Sequence, residues 1–389
     1  MRFALLNTDY QGFVDWLYTD TPGLADRSYR AQFDARLATY FAEGDAHSAA
    51  LREMGHESSD FFVNNVRLQR AWALEHRLPS ARVLSPGGPR RFMSAVPWLG
   101  QHRGALQDAA MLDVLAAQLE DLRPEIVIDF AAAGLPGGWL RQVVPEAMIV
   151  GFAEPPSLTT GTVFDEFDLV LAPSERMLEI VERQGAKGAL VRFGFDDRVL
   201  RALPPDAIDI PPISFVGSLS PLHSARLTLI ETLCAHFGEQ VGVWGILDNV
   251  SRQSPVRPCY HGPAFGLGAY RIMRSSAVTI NVHSDVEPID ADNMRLFEAT
   301  GVGACLVTDR RANLAAIFEP GREVLDFGDS KEAVSLIHAL LADEPRRRAV
   351  GQAGQKRTLR DHTYAVRSHE ILSAINSASA RGPDAAGLP

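Results

Sequence analysis

The chain has 389 residues, of which 46% are hydrophobic and 22% are charged, and its formal net charge is −10 at pH 7. This composition excludes a disordered or fibrous protein, and the length allows two globular domains. The negative charge argues against a general nucleic-acid binder, which is normally basic. The three cysteines are too scattered for a disulfide framework and favour a cytoplasmic protein, free or peripheral at the inner membrane face. No apolar run approaches the roughly 20 residues of an integral membrane segment.

The first half of the chain alternates apolar strand patterns with helical patterns. Buried β-branched runs between helices are typical of a parallel, doubly wound sheet. The strands are predicted at 2–7, 60–65, 124–130, 147–155, 167–173 and 189–195, and the helices around 27–42, 46–54, 65–77, 105–122 and 174–184. Residues 79–103 have no clear period, and so long a loop inside a compact domain is often functional.

A proline-rich linker at 201–212 precedes a second series of the same kind. Its strands are predicted at 213–218, 240–245, 277–283, 305–309 and 323–327, and its helices around 222–237, 266–274, 291–300, 331–342, 345–359 and 366–377. We therefore predict an α/β protein with two Rossmann-like domains, whose parallel sheets face each other across a cleft. The domains are predicted at 1–200 and 213–365, followed at 366–389 by a helix and a disordered tail. Ligands of such sheets bind at the carboxyl ends of the strands.

Two groups of candidate ligand-binding residues follow predicted strands of the second half. Gly217 and Ser218 end the first of these strands, and Arg226 lies on the next helix. A glycine lets the backbone approach a phosphate, and an arginine neutralises it. Gly262, in the turn His261–Pro263, has a backbone that can hold a planar base. An ordinary turn is the alternative interpretation at both places.

The stretch Asn293 to Asp309, "NMRLFEATGVGACLVTD", is a predicted helix followed by a buried strand. Asp290 precedes the helix and is expected to cap it, so that Asn293 and Met294 lie at a helix start suited to a diphosphate. Arg295 adds a positive charge there, and Glu298, on the same face, can accept hydrogen bonds from ribose hydroxyls. The alternative is a surface ion pair worth less than about 1 kcal/mol.

The same stretch contains a possible metal motif. Asp290, Ala291 and Asp292 form the Asp-x-Asp triplet that binds a metal in one class of sugar transferases. A three-residue match is common by chance, and that class has a single Rossmann-like domain. We therefore expect no metal site.

Taken together, these motifs resemble the GT-B glycosyltransferases, specifically the CgeB-like (spore-maturation type) group related to glycosyltransferase family four. The resemblance is strongest from about 213 to 372. It rests on "FVGSLSPLHSAR", "VGVWG", "YHGPAFGLGAYRIMRSSAVTINVHSD", "NMRLFEATGVGACLVTD", "FEPGREVLDFGD" and "DHTYAVR". It implies a second domain that binds a nucleotide-diphosphate sugar as donor, with no cofactor required.

The resemblance also implies roles for single residues. Family four carries a Glu-x₇-Glu motif near the donor. Glu298 matches its second glutamate, which implies the ribose role, whereas Asp290 stands where the family has the first. His283 and Arg295 match the CgeB-like pattern, and we assign them to the phosphate or leaving group. Asp361 to Tyr364 and Arg367 also fit the pattern, and we interpret them as structural.

The expected mechanism needs charge and positioning. A helix N-terminus, Arg295 and Arg226 would stabilise the leaving diphosphate without a metal. If the reaction inverts the sugar's configuration, a base must come from the first domain, and Glu154, Asp129 and His102 are the candidates. If it retains the configuration, no such base is needed.

The acceptor is not evident from the sequence, and a glycan, a protein or a small molecule all remain open. The loop 79–103 can meet an anionic or sugar-containing acceptor, or it is simply a solvated loop. Its candidate contacts are Arg82, Arg90, Arg91, Trp98 and Arg103. A nucleotide-sugar epimerase and a catalytically inactive nucleotide- or sugar-binding module of the same fold are the alternative functions.

Overall fold

The computed structural model describes residues 1–84, 109–130, 135–154, 162–219, 223–285, 289–291 and 293–380. The chain forms two compact units. The first unit comprises Met1–Ala38, Gly44–Val191 and Ser368–Pro389, and the second comprises Thr39–Glu43 and Arg192–Arg367. The predicted disordered tail beyond residue 380 lies outside the described residues, as does most of the predicted loop 79–103.

The first unit is built on a six-stranded parallel sheet of order β2-β1-β3-β4-β5-β6. Its strands are β1 (Arg2–Asn7), β2 (Glu57–Phe62), β3 (Ile126–Asp129), β4 (Met148–Phe152), β5 (Leu169–Ala172) and β6 (Gly188–Leu190). Every residue of β3 and β5 is buried, as expected for strands covered on both faces. The helices up to β6 are α1 (Gln11–Asp20), α2 (Tyr29–Leu37), α3 (Ala46–Glu53), α4 (Val66–Glu75), α5 (Ala109–Leu122), α6 (Gly137–Val143) and α7 (Glu175–Arg183).

The second unit is built on a five-stranded parallel sheet of order β11-β10-β9-β7-β8. Its strands are β7 (Ile213–Val216), β8 (Val241–Trp244), β9 (Val278–Asn281), β10 (Leu306–Asp309) and β11 (Leu325–Phe327). The remaining helices among the described residues are α8 (Val199–Ala202), α9 (Ser224–Phe237), α10 (Gly266–Ser275), α11 (Met294–Gly301), α12 (Leu314–Ile317), α13 (Ser330–Ala342), α14 (Glu344–Asp361) and α15 (Tyr364–Ala380). The predicted parallel α/β architecture is thus confirmed.

The core of the second unit lies between its sheet and the covering helices. Each strand contributes a fully or nearly buried apolar side chain, and α9 and α13 pack against them. The set includes Ile213, Val243, Ile280, Val307, Leu325, Leu229, Leu233 and Ile337. This packing fixes the strand ends, where the candidate site residues lie.

Several predicted boundaries are wrong; the strand predicted at 189–195, for example, ends at Leu190. The strand predicted at 60–65 ends at Phe62, because the Asn65 side chain accepts a hydrogen bond from the Leu68 N–H and caps α4. The helix predicted to reach residue 42 ends at Leu37. Beyond it, Tyr40 and Ala42 have a φ of 54°, which a right-handed helix cannot accommodate. The helix predicted from 291 begins three residues later, at α11.

Candidate functional site

The second sheet has its switch point between β7 and β9, where the strand order reverses. Ligands of open parallel sheets bind at such a point, outside the carboxyl ends of the strands. Gly217 and Ser218 follow β7, His283 follows β9 by two residues, and Asp309 ends β10. These strand ends are neighbours in the sheet, so the structure brings several of the predicted residues to one edge.

Glu298 on α11 is held by two side chains from different helices. Its Oε2 lies 2.6 Å from Arg295 Nη1, and the hydroxyl of Tyr270, on α10, donates to its Oε1 at 3.2 Å. The side chains of Arg295 and Glu298 are only 23% and 10% exposed, so their ion pair is not a surface pair. Burial and the neighbouring Glu298 charge raise the pKa of Tyr270 well above its usual value, which keeps the phenol protonated as a donor. Glu298 is therefore a fixed, largely buried carboxylate.

The start of α11 is tied to the ends of β9 and β10 by amide side chains. The Asn293 carbonyl oxygen accepts from the Leu296 N–H at 3.2 Å, which makes Asn293 the N-cap. Its amide donates to Asn281 at 3.0 Å, and Asn281 donates to the Thr308 hydroxyl at 3.0 Å. The prediction that Asp290 caps the helix is therefore wrong. Asn293 performs that role, and Met294 and Arg295 supply the first helical N–H groups.

Asp290 is buried, with 5% of its surface exposed. The next residue, Ala291, donates its backbone N–H to Asn313 Oδ1 at 2.6 Å, which anchors this segment beside β10. Asp292, the second acid of the Asp-x-Asp triplet, lies outside the described residues. Among the side chains that the structure describes, no group of three or more His, Cys, Asp or Glu could hold a metal ion.

Buried His283 forms a chain of polar contacts with the partly buried Asp309 and Arg311. Asp309 Oδ1 accepts from both the backbone N–H and the Nδ1 of His283, at 3.0 and 2.7 Å, and Arg311 Nη2 lies 2.6 Å from Oδ2. Burial raises the pKa of Asp309, but the hydrogen bonds from His283 and the charges of His283 and Arg311 outweigh it and lower that pKa to about 2. Asp309 is thus ionised at neutral pH. The sequence analysis did not select Asp309 or Arg311, although both follow a buried strand directly.

The ends of β7 and β8 come close together through glycines. Gly217 donates its N–H to the Trp244 carbonyl at 2.9 Å. Gly245, at φ +132°, lies so near the Gly217 carbonyl that a Cβ there would overlap it, and its N–H donates to the Gly262 carbonyl at 3.0 Å. Arg226 donates to the Ser218 carbonyl at 3.2 Å. The predicted residues Gly217, Ser218, Arg226 and Gly262 therefore belong to one connected set at this edge.

The candidate bases of the first unit lie at strand ends, as predicted. Asp129 ends β3 and is fully buried, and Glu154 follows β4 by two residues and is half-buried. His102 lies outside the described residues, as do Arg90, Arg91, Trp98 and Arg103 of the predicted acceptor loop. Arg82 is exposed at the end of a short 3₁₀ helix. A catalytic role for these residues stays a prediction.

The segment at 361–367 anchors the strand-like stretch around Phe195. Phe195 donates its N–H to the His362 carbonyl at 2.8 Å and accepts from the Tyr364 N–H at 3.0 Å. Buried Arg367 donates to His362 Nδ1 at 2.6 Å and to the Phe193 carbonyl at 3.0 Å. Burial and the nearby Arg367 charge lower the pKa of His362 to about 4, so it is neutral at pH 7. These contacts give the segment a structural role.

Comparisons with known proteins agree with this architecture. Residues 226–373, most of the second unit, match the model of a protein family described as glycosyl transferase-like. No match was found among the curated proteins. No helix within the described ranges is long and apolar enough to cross a membrane.

Solved structures resemble the chain over almost its whole length. Sucrose-phosphate synthase from Thermosynechococcus elongatus is 12% identical, with a TM-score of 0.56 and coverage of 98% of this chain and 99% of its own. HepE from Anabaena, in complex with UDP and glucose, is 12% identical, with a TM-score of 0.55 and coverage of 97% and 100%. Trehalose 6-phosphate synthase from Burkholderia multivorans is 13% identical, with a TM-score of 0.55 and coverage of 97% and 98%. With two parallel Rossmann-like sheets of six and five strands, the chain has the GT-B fold.

Proposed function

We propose that the chain is a GT-B glycosyltransferase that moves a sugar, expected to be a hexose, from a nucleotide-diphosphate sugar to an acceptor. The observation that carries this proposal is the fixed carboxylate of Glu298. It is held by Tyr270 and Arg295 on a helix that starts at the carboxyl ends of β9 and β10. Such a carboxylate can accept hydrogen bonds from the two hydroxyls of a diol such as that of ribose. The family match over 226–373 and the UDP-bound state of HepE support the choice of donor.

The donor site would be assembled wholly in the predicted domain 213–365. The first N–H groups of α11, from Met294 and Arg295, would face the diphosphate, since a helix N-terminus favours anions. The backbone at Gly217 and Ser218, with Arg226 bonded to it, would meet the same diphosphate, and the backbone around Gly262 would meet the base.

Arg295 has two roles in this arrangement. Its guanidinium pairs with Glu298 at 2.6 Å, and it lies in the first turn of α11. It orients the ribose-binding carboxylate and adds positive charge near the diphosphate. Cleavage of the sugar–phosphate bond places negative charge on that diphosphate, which fixed dipoles and arginines stabilise without a metal. We therefore propose metal-independent transfer, with Asp290 near the sugar.

The acceptor side is proposed on the sequence argument alone. The predicted domain 1–200 would bind a glycan, protein or small-molecule acceptor, and Glu154 or Asp129 would serve as base if the reaction inverts. We place the activity in the cytoplasm, in agreement with three free, buried cysteines. Within the GT-B enzymes we propose the CgeB-like group, on the motifs between 213 and 372.

The direct test combines binding with turnover. UDP-, GDP-, ADP- and dTDP-glucose are titrated into the protein by calorimetry, and nucleoside diphosphate release is followed with and without cell-envelope and protein acceptors. Binding followed by acceptor-dependent release supports the proposal. An altered sugar formed without acceptor would indicate an epimerase, and binding without any turnover would indicate a binding module. Binding of none of the nucleotide sugars or their diphosphates would contradict a donor site.

A further inference from the structure

His283 has a buried ring nitrogen that none of the described residues engages in a hydrogen bond. The side chain is fully buried at the carboxyl end of β9, beside the switch point of the second sheet. Among the residues that the structure describes, its Nε2 has no hydrogen-bond partner. A buried polar atom left unpaired costs free energy comparable to a lost hydrogen bond, so it calls for an explanation. A bound ligand would supply the missing partner.

The other ring nitrogen determines what Nε2 can do. His283 Nδ1 lies 2.7 Å from Asp309 Oδ1, which also accepts from the His283 backbone N–H, and Asp309 Oδ2 pairs with Arg311. An ionised carboxylate can only accept hydrogen bonds, so Nδ1 must carry the proton and donate it. In the neutral imidazole, Nε2 then has a free lone pair and is an acceptor.

We propose that His283 Nε2 accepts a hydrogen bond from a hydroxyl group of the bound nucleotide sugar, with Asp309 and Arg311 as positioning residues. This inference rests on the proposed function. This role differs from the phosphate contact expected from the sequence, which would require a proton on Nε2 in addition to the one that Nδ1 donates to Asp309. A hydroxyl brings its own proton and satisfies Nε2.

Two hydroxyl-bearing groups of the donor share this chemistry, the ribose and the transferred sugar. A nucleoside diphosphate alone contains only the ribose (2′-deoxyribose in dTDP), whereas the nucleotide sugar contains both. Comparison of UDP, GDP, ADP and dTDP with their glucose conjugates therefore distinguishes the sources. If the ribose is the partner, a His283 variant should bind both the nucleoside diphosphate and its glucose conjugate more weakly. If the transferred sugar is the partner, only the binding of the conjugate should weaken.

Two substitutions separate the two ring nitrogens. In His283→Asn the amide takes the place of Nδ1 and can still donate to Asp309, but nothing occupies the place of Nε2. In His283→Gln the longer side chain puts its amide near the place of Nε2. We expect His283→Asn to weaken binding roughly three- to tenfold, as for loss of one neutral hydrogen bond, and His283→Gln to restore part of it. Thermal unfolding of both variants checks that they fold.

The tautomer is measured on the unsubstituted protein. Nitrogen-15 NMR of labelled histidine in the ligand-free chain is expected to show the His283 proton on Nδ1, with the signal assigned by its absence in the variants. Asp309→Asn is expected to move the proton toward Nε2 and to weaken binding as His283→Asn does, because an amide can donate to Nδ1.

A proton on Nε2 in the unsubstituted protein would overturn the inference. Unchanged affinity of His283→Asn for every ligand that the unsubstituted protein binds would also overturn it, while leaving the donor site intact. If the unsubstituted protein binds none of these ligands, the proposed function fails and this inference fails with it.

Discussion

Arg295 and Glu298, one turn apart on α11, form an ion pair of 2.6 Å in which the carboxylate is almost fully buried. The pair is completed by the hydroxyl of Tyr270, on α10. Breaking a buried pair by removing one partner is costly, because the other charge stays uncompensated. The two charged residues should therefore be coupled in stability as well as in binding.

The first prediction concerns that coupling. Arg295→Gln should destabilise the protein by about 1–3 kcal/mol, because it leaves the Glu298 charge with Tyr270 as its remaining side-chain partner. Adding Glu298→Gln removes the uncompensated charge and should recover much of the loss. Denaturant unfolding of the two single variants and the double variant gives the coupling free energy. Additive effects of the two substitutions would show that the pair does not act as a unit.

The second prediction isolates the orienting role of Tyr270. Tyr270→Phe should weaken nucleotide-sugar binding about three- to tenfold, because Glu298 loses the donor that fixes its Oε1. Tyr18→Phe is the matched control, since the Tyr18 hydroxyl donates to Gln32 at 2.7 Å within the first unit. Both variants should lose similar stability, but calorimetry should show unchanged affinity for the control. Equal affinities of the two variants would count against the role of Tyr270.

The third prediction concerns the charge at the helix start. Asn293→Asp keeps a good N-cap for α11 but places a negative charge where the diphosphate is proposed to bind. The loss of the amide hydrogen bond to Asn281 should lower the free energy of unfolding by about 1–3 kcal/mol. Binding of the nucleoside diphosphate to the folded variant should weaken by tenfold or more, at roughly 1.4 kcal/mol per tenfold. Ser28→Asp adds the same charge at the N-cap of α2 in the first unit and should not alter binding. Undiminished diphosphate affinity in Asn293→Asp would place the anion elsewhere.

The fourth prediction is a pH dependence of stability set by Asp60. Burial raises the pKa of this carboxyl from 3.8 to about 7, against hydrogen bonds from Ser48 and Asn7 that lower it. The folded state therefore binds a proton that the unfolded state releases, and this contribution to stability falls as pH rises from about 4 to about 7. Asp60→Asn removes that dependence. The melting temperature of Asp60→Asn minus that of the unsubstituted protein should therefore increase as the pH is raised from 4 to 7. A difference that stays constant across that range would contradict the assignment.

Much of the fold could be predicted because its strands are short apolar runs. The buried runs at β3, β5, β7 and β9 are unambiguous in a doubly wound pattern. Helix α1 was not predicted, since its Val, Trp and Tyr residues are weak helix formers and Tyr10 provides no side-chain cap. Helix α6 begins with Gly137 and Gly138, which disfavour a helix, so tertiary packing determines it instead.

The candidate site could be predicted only where its residues are neighbours in sequence. The spacing of Arg295 and Glu298 places them on one helix face, and the structure pairs them. Tyr270 and Asp309 lie on other elements, so their contacts depend on how those elements pack. The cap of α11 was assigned to Asp290 because an acid before a helix is a common cap, but Asn293 lies closer and also reaches Asn281.

The central claim is that the second unit binds a nucleotide sugar around Glu298. Its most direct test is calorimetric titration of UDP-, GDP-, ADP- and dTDP-glucose into the unsubstituted protein, Glu298→Gln and Glu179→Gln. Glu179 forms an exposed pair with Arg183 in the first unit, so its substitution is the matched control. At least one donor should bind the unsubstituted protein and the control variant with equal affinity. The same donor should bind Glu298→Gln roughly 10- to 100-fold more weakly, as for the loss of a charged hydrogen bond. Equal affinity of Glu298→Gln, or binding of none of the four donors, would contradict the claim.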